Sequence, residues 1–277
     1  MAPTLYEFTQ RAVAPAWLMS LAIYQFVLTI FETVFVHHEP GVLLHISKLR
    51  ERAFSRFWMT YGPSMSTDMP KPTQELLRTV RGTVLDVGPG SGEQLHLFTP
   101  ANITRMYGAE PADKLHDQLR VNARNNNLGD KYKVLHCGAE PESLIPALAK
   151  AGLLQGGADG IFDEIVCCRV LCGVPNQQNT IDGLYRLLKP GGRFVVHEHV
   201  VNPWPAKNQE GSLIARFLQV VYTLAGWPFW IQCHLDRDTK SGLIKAGGKN
   251  GWKEIKLQYV ESWSTIPNLV GYLIKSE

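Results

Sequence analysis

One run of residues constrains this chain more than any other: Thr83-Val84-Leu85-Asp86-Val87-Gly88-Pro89-Gly90-Ser91-Gly92. A short apolar strand delivers a carboxylate, Asp86, and glycines follow at positions 88, 90 and 92 before a helix is expected to start near Glu93. Glycine has no Cβ, so it accepts positive φ and lets the backbone close on a ligand. The pattern is a strand-to-helix nucleotide turn, and its details narrow the choice. A Walker loop would end in Gly-Lys-Ser/Thr, which is missing here. A dinucleotide turn spaces its glycines Gly-x-Gly-x-x-Gly, whereas this one reads Gly-x-Gly-x-Gly.

Strand and helix patterns alternate after that turn. Strands are expected at Thr83–Val87, Arg105–Glu110, Tyr132–His136, Gly160–Cys168 and Arg193–Val200. Helices are expected from Glu93 through Phe98, at Ala112–Asn125, at Ser143–Ala151 and at Thr180–Leu188. Gly160–Cys168 is apolar on both faces, as a central parallel strand should be. Trp252–Val260 and Leu269–Lys275 alternate in polarity and suit a closing hairpin. The sum is an α/β fold: a Rossmann-like, doubly wound, mostly parallel seven-stranded sheet ending in an antiparallel hairpin, with ligand at the carboxyl ends of the strands.

Upstream, Val42, Ile46, Leu49, Ala53 and Phe57 share one face of an expected helix over Val42–Trp58, with basic residues opposite. Gly62-Pro63 and Pro70-Lys71-Pro72 are expected to punctuate a loop. The N-terminus differs in kind: no charge occurs from Ala12 to Phe31, about the ~20 residues that a spanning helix needs. Ser20, Gln25 and Thr29 interrupt it, and Arg11, Gln25, Thr29 and Glu32 fall roughly on one helical face. An apolar helix lying in the membrane interface is the alternative to a spanning one. Lys48, Arg50, Arg52 and Arg56 follow closely, which places the rest of the chain on the cytosolic side. The expected organisation is a membrane-associating helix over 1–40, an amphipathic helix and linker over 41–80, and the nucleotide domain over 81–277.

Composition excludes several partners. The chain is 45% hydrophobic and 19% charged with a net charge of +3, which suits one globular core and gives no reason to expect nucleic acid. Five cysteines without a Cys-x-x-Cys pair read as reduced thiols. Neither Cys168/Cys172 with scattered histidines, nor His37-His38, nor His234 with Asp236 has the density of a metal site, so no metal is expected.

The glycine turn resembles motif I of class I S-adenosylmethionine (SAM) methyltransferases. In that reading Gly88, Gly90 and Gly92 cradle the methionine portion, and Asp86 orients the turn or meets the ammonium. Glu110, ending the second strand about twenty residues on, accepts the ribose hydroxyls. Ala139 and Glu140, after the third strand, lie alongside adenine, and Arg169, after the fourth, faces the methyl donor. The turn Leu188-Lys189-Pro190-Gly191-Gly192 is a common structural feature of the superfamily. A closer resemblance is carried by Arg50–Ser55, Leu171-Cys172, Leu188–Gly192, Glu198-His199-Val200 and Cys233-x-Leu235-x-Arg237. These residues are similar to the human methyltransferase-like 7 family over roughly Arg50–Lys275, with an apolar N-terminal segment in both. That resemblance implies a membrane-associated enzyme of the endoplasmic reticulum or lipid droplets that methylates the sulfur of small lipophilic thiols. Pro89, His197 and the insertion over 202–250 depart from the family.

His199, at the end of the fifth strand, is the candidate catalytic base; a structural role beside Asp236 is the alternative. Leu213–Ile231, apolar and aromatic, is expected to cover the acceptor cavity and to dip into the membrane beside the N-terminal helix. Two other functional readings remain open: N- or O-methylation in natural-product biosynthesis, and a SAM-binding scaffold or rearrangement catalyst that transfers no methyl group.

Overall fold

The computed structural model describes residues 3–67, 69–157, 159–205 and 211–277. Its centre is a seven-stranded sheet in the order β3-β2-β1-β4-β5-β7-β6. The strands are β1 (Gly82–Val87), β2 (Ile103–Ala109), β3 (Tyr132–Leu135), β4 (Phe162–Cys168), β5 (Leu188–His199), β6 (Trp252–Val260) and β7 (Asn268–Lys275). The first five pair in parallel, and β7 runs antiparallel to both β5 and β6. Chain order reverses beside β1, between its neighbours β2 and β4, and a doubly wound sheet opens its ligand crevice at that switch point.

Both faces of the sheet are covered. One carries α5 (Pro141–Lys150) and α6 (Gln177–Leu187), with Leu144, Leu148, Ile181 and Leu184 packed on Leu85, Ile165 and Phe194. The other carries α3 (Lys71–Arg78) and α4 (Asp113–Asn125), with Leu77, Leu119 and Ala123 packed on Val84, Met106 and Val166. Alternating side chains of one strand supply the two cores, which is why β1 and β4 are apolar on both sides.

Two expected elements differ. The segment after the glycine turn is a single 3₁₀ turn, Glu93–Leu97, rather than a full helix. Gly92 enters it in the left-handed region and Phe98 leaves it extended, and Pro100 then opens a further short 3₁₀ turn. The expected loop at Gly62-Pro63 is helical, because α2 runs Ile46–Thr67 through Pro63. Gly62 sits against the ring of Trp58, where a Cβ would come within 3.1 Å. Pro70 ends the break and caps α3, whose first turn holds Pro72, a position where the missing N–H costs nothing.

Outside the sheet, α1 (Leu5–Phe31) is held by a capping box between Thr4 and Glu7. It packs on α2 and on two short helices of the 202–250 insertion, α7 (Leu213–Leu224) and α8 (Trp227–Trp230). A last helix, α9 (Thr239–Ala246), lies on α6. The first eighty residues are thus packed onto the sheet domain. The basic residues of α2 are largely engaged within the protein. Arg56 meets Gln25 and Glu32, Arg52 meets Glu39 at 2.7 Å, and Arg50 reaches the carbonyls of Pro228 and Phe229.

Candidate active site: two joined cavities

The crevice at the switch point holds a cavity of about 360 Å³. Its floor is the glycine turn. Gly88, Gly90 and Gly92 all have positive φ, at 58°, 61° and 84°, and none has room for a side chain without a shift of its neighbours. A Cβ on Gly88 would fall 2.6 Å from Val170, and one on Gly90 would fall 2.5 Å from the indole nitrogen of Trp58. Gly88 and Gly90 line the cavity, while Gly92 lies outside it and caps the 3₁₀ turn.

Glu110 lines the same cavity. Its carboxylate takes backbone N–H bonds from Gly90 and Ala112, each at 2.9 Å. Each oxygen retains a second lone pair for an outside hydroxyl, so the group that orders the turn can also hold a ribose. Burial pushes its proton affinity up, and the two N–H donors oppose that. Gly138, Ala139, Glu140 and Arg169 line the cavity as well.

Asp86 is different. It is buried, does not line the cavity, and accepts the Tyr132 hydroxyl at 2.8 Å. The two expected roles are orienting the glycine turn and meeting the ammonium; set off the cavity lining, Asp86 instead ties the end of β1 to Tyr132 of β3. Burial raises its pKa from 3.8 to about 7 against the Tyr132 bond.

A second cavity, of about 720 Å³, adjoins the first, and Phe54, Trp58, Met69, Arg169 and Gln232 line both. The boundary is therefore where a donor and an acceptor would meet. Its walls come from Arg11, Ala14 and Leu18 of α1, Phe54, Phe57 and Trp58 of α2, His197 and His199 of β5, Asn268 of β7, and Trp227 and Ile231–Cys233 of the insertion. Of the expected cover Leu213–Ile231, only the end facing α2 serves. Trp227 and Ile231 reach the cavity, whereas Leu213, Phe217, Val220 and Leu224 point outward. The rest of the lid is the aromatic face of α2, which the sequence reading left unassigned. Its signal was the i, i+4 pair Phe54 and Trp58 on an amphipathic helix.

The loop after β4 is held from beneath by Glu198. Its carboxylate accepts the backbone N–H groups of Val170 and Leu171 at 2.9 Å and of Cys172 at 3.2 Å. Burial raises its pKa to about 7 despite these donors. The strand alternation sends Glu198 into this nest and turns His197 and His199 to the cavity. His197 bonds Asn268 Oδ1 through Nε2 at 3.0 Å, while its buried Nδ1 has no partner. Burial and the Arg169 charge keep that imidazole neutral. His199 meets the Cys233 sulfur, 3.6 Å from Nδ1, rather than Asp236. Asp236 instead faces His234 at 3.8 Å, among half-exposed side chains.

The sequence matches a family described as a methyltransferase domain over residues 61–253. The chain belongs to this methyltransferase family. It is a class I enzyme, and its cofactor is S-adenosylmethionine. Human thiol S-methyltransferase TMT1A is 28% identical over 198 residues, covering 70% of each chain. Thiol S-methyltransferase TMT1B of Rattus norvegicus is 25% identical over the same length and shares. Among solved structures, geranyl diphosphate C-methyltransferase from Streptomyces coelicolor, bound to S-adenosyl-L-homocysteine, has the same fold. It superposes with a TM-score of 0.50 at 14% identity, over 73% of this chain and 76% of that one.

Proposed function

We propose that the chain methylates the sulfur of small lipophilic thiols at a membrane surface. The observation that carries this reading is the larger cavity, walled by aromatic and aliphatic residues and opening on the cofactor crevice at Arg169 and Gln232. Its likeness to two thiol S-methyltransferases supports sulfur as the acceptor.

In this reading Gly88 and Gly90 present backbone to the methionine portion of the cofactor, Glu110 takes its ribose, and Ala139 and Glu140 flank its adenine. The bound cofactor supplies an electrophilic methyl group. The protein aligns the two sulfurs and keeps water out, which Phe57, Trp58 and Trp227 do by closing the cavity. A free thiol ionises near pH ~8.5, so little help is needed to expose its lone pair. His199 is the residue assigned to the acceptor's proton, because its ring faces the cavity beside Cys233.

The membrane part of the reading rests on an inversion in α1. Its buried stripe runs Pro15, Met19, Ala22, Gln25 and Thr29, so the polar Gln25 and Thr29 are packed inside, with Gln25 bonded to Arg56 at 2.7 Å. Its apolar stripe, Val13, Trp17, Tyr24, Val27 and Phe31, faces outward. The same holds for α7, tied to α1 by a 2.8 Å bond from the Tyr222 hydroxyl to the Ala12 carbonyl. Its residues Leu213, Phe217, Val220, Val221 and Leu224 are exposed on the outside. Two neighbouring helices that hide polar groups and display apolar ones suit a bilayer interface. An endoplasmic reticulum or lipid-droplet surface is what the resemblance to the methyltransferase-like 7 family implies, and the basic residues after α1 favour the cytosolic side for the sheet domain.

A matched series of thiol, phenol and amine on one lipophilic skeleton tests the acceptor. Incubation with methyl-labelled SAM should yield the labelled thioether, with the phenol and amine unlabelled. Label on oxygen or nitrogen alone would replace the reading with the natural-product alternative.

A further inference from the structure

Three side chains in the acceptor cavity converge although they come from three separate elements. Cys172 belongs to the loop after β4, His199 to the end of β5, and Cys233 to the loop after α8. All three line the larger cavity, and their sulfur and nitrogen atoms lie within 4.8 Å of one another. We propose that Cys172, His199 and Cys233 bind a thiophilic divalent cation, zinc by its ligand set, and leave a fourth position open to the acceptor thiol.

The spacing matches the chemistry. Zinc bonds of about 2.3 Å to sulfur and about 2.05 Å to nitrogen, at the tetrahedral angle, separate those two atoms by about 3.6 Å. The Cys233 sulfur and His199 Nδ1 are 3.6 Å apart. Two thiolates and an imidazole make a soft set that selects zinc over magnesium or calcium, and three protein ligands with a vacant fourth position mark a catalytic rather than a closed structural site.

The surroundings hold the ligands in place. Glu198 accepts the Cys172 backbone N–H, Arg237 donates to the Leu171 carbonyl at 2.7 Å, and His234 N–H donates to the Cys172 carbonyl at 2.8 Å. Gly173 lets the two cysteine loops touch, since a Cβ there would fall 2.6 Å from the Gln232 carbonyl oxygen. Gln232 itself, next to Cys233, is held at φ 56°, a left-handed conformation that a residue with a Cβ adopts only under constraint. The buried indole N–H of Trp227, in one cluster with Cys172 and Cys233, has no hydrogen-bond acceptor among the described residues. A thiolate carrying metal would give that N–H a charged neighbour, as outer-shell donors do in metal sites.

The inference rests on the thiol reading and sharpens it. On coordination, the acceptor R–SH loses its proton to water and binds as R–S⁻. Its lone pair then forms the S–CH₃ bond while the methyl–sulfonium bond breaks, the electron pair staying on the departing sulfur of S-adenosylhomocysteine. The product thioether is neutral, a weaker ligand than a thiolate, and leaves. Without metal, His199 Nδ1 faces the Cys233 sulfur; with metal bound it is a ligand.

The test is cobalt(II) titration of the full chain after chelator treatment, read by near-ultraviolet thiolate-to-cobalt charge-transfer absorption. About one equivalent should develop the band, zinc should abolish it, and a Cys172→Ala/Cys233→Ala variant should lose it while still binding SAM. Cys172→His, which keeps a donor, separates ligation from folding if the alanine variant fails to bind SAM, and it should retain tight cobalt binding with a weaker band. No band in the wild type, or the same band in the double variant, overturns the site. A band without methylation of any thiol would leave the site standing and reject the acceptor reading; methylation with no band would do the reverse. Equal thiol methylation rates with and without zinc would remove the metal from the chemistry.

Discussion

The two cavities proposed to hold donor and acceptor are built in opposite ways. The cofactor crevice is assembled from the carboxyl ends of neighbouring parallel strands, and its groups sit immediately after β1, β2, β3 and β4. The acceptor cavity gathers α1, α2, β5, β7 and the insertion around a loop after β4. The first follows from the topology of a doubly wound sheet, where every strand end reaches one edge. The second depends on helices outside the sheet. The two halves should therefore respond separately to substitution, and that separation can be tested at several strengths.

The largest effect is expected at Gly90→Val. The substitution puts a branched side chain at φ 61° and drives its Cβ into Trp58. SAM binding should fall below detection in calorimetry while circular dichroism keeps its α/β signature. Glu110→Ala comes next. Loss of a carboxylate's hydrogen bonds, about 1.5–3 kcal/mol, corresponds to about 10–100-fold in the SAM Kd. Glu110→Ala should act on the donor half alone, through cofactor affinity, whereas Gly90→Val also presses on Trp58, which lines both cavities.

Glu198→Ala sharpens the comparison from below, because it removes the acceptor of three backbone N–H groups in the loop that both halves share. Leaving buried donors unpaired should lower stability by about 2–4 kcal/mol, read from denaturant midpoints. A further effect, read only from the pH dependence of stability, concerns Asp86. Its folded pKa lies at about 7, above its ordinary 3.8, so the folded chain holds the proton more tightly than the unfolded chain. The associated stability is fully present below about pH 4 and is lost as pH rises to about 7. Asp86→Asn should flatten the fall in melting temperature over that window, and an unchanged profile would place the titration elsewhere.

The same contrast explains what was legible in the sequence. The glycine turn, Glu110 and Ala139–Glu140 lie at strand ends, and the alternation of strands and helices brings those ends to one edge of the sheet. The hairpin and the faces of β5 follow from alternation alone. Three things needed the tertiary structure. Phe54 and Trp58 lie beside the apolar face expected for that helix and are unassigned in the sequence, since periodicity does not say which partner a helix meets. Cys172, His199 and Cys233 meet across three elements, so no motif spacing could reveal them. In α1 the polar Gln25 and Thr29 are turned inward, with Gln25 on Arg56 of α2, whereas a surface helix normally turns its apolar stripe inward. That packing also changes the natural membrane test. Removing residues 1–38 would take Arg11, Ala14 and Leu18 from the acceptor wall. Trp17→Asp with Val27→Asp, both on the outer face, should release the protein from membranes with SAM affinity intact.

The most direct test of the account is one preparation of Trp227→Ala, assayed twice. Trp227 lines the acceptor cavity and not the cofactor crevice. SAM affinity should stay within about twofold, while kcat/KM for a lipophilic thiol should fall about tenfold or more, the effect of losing about 1.4 kcal/mol of contact in the transition state. A parallel fall in both, or a loss confined to SAM binding, would contradict two separable halves.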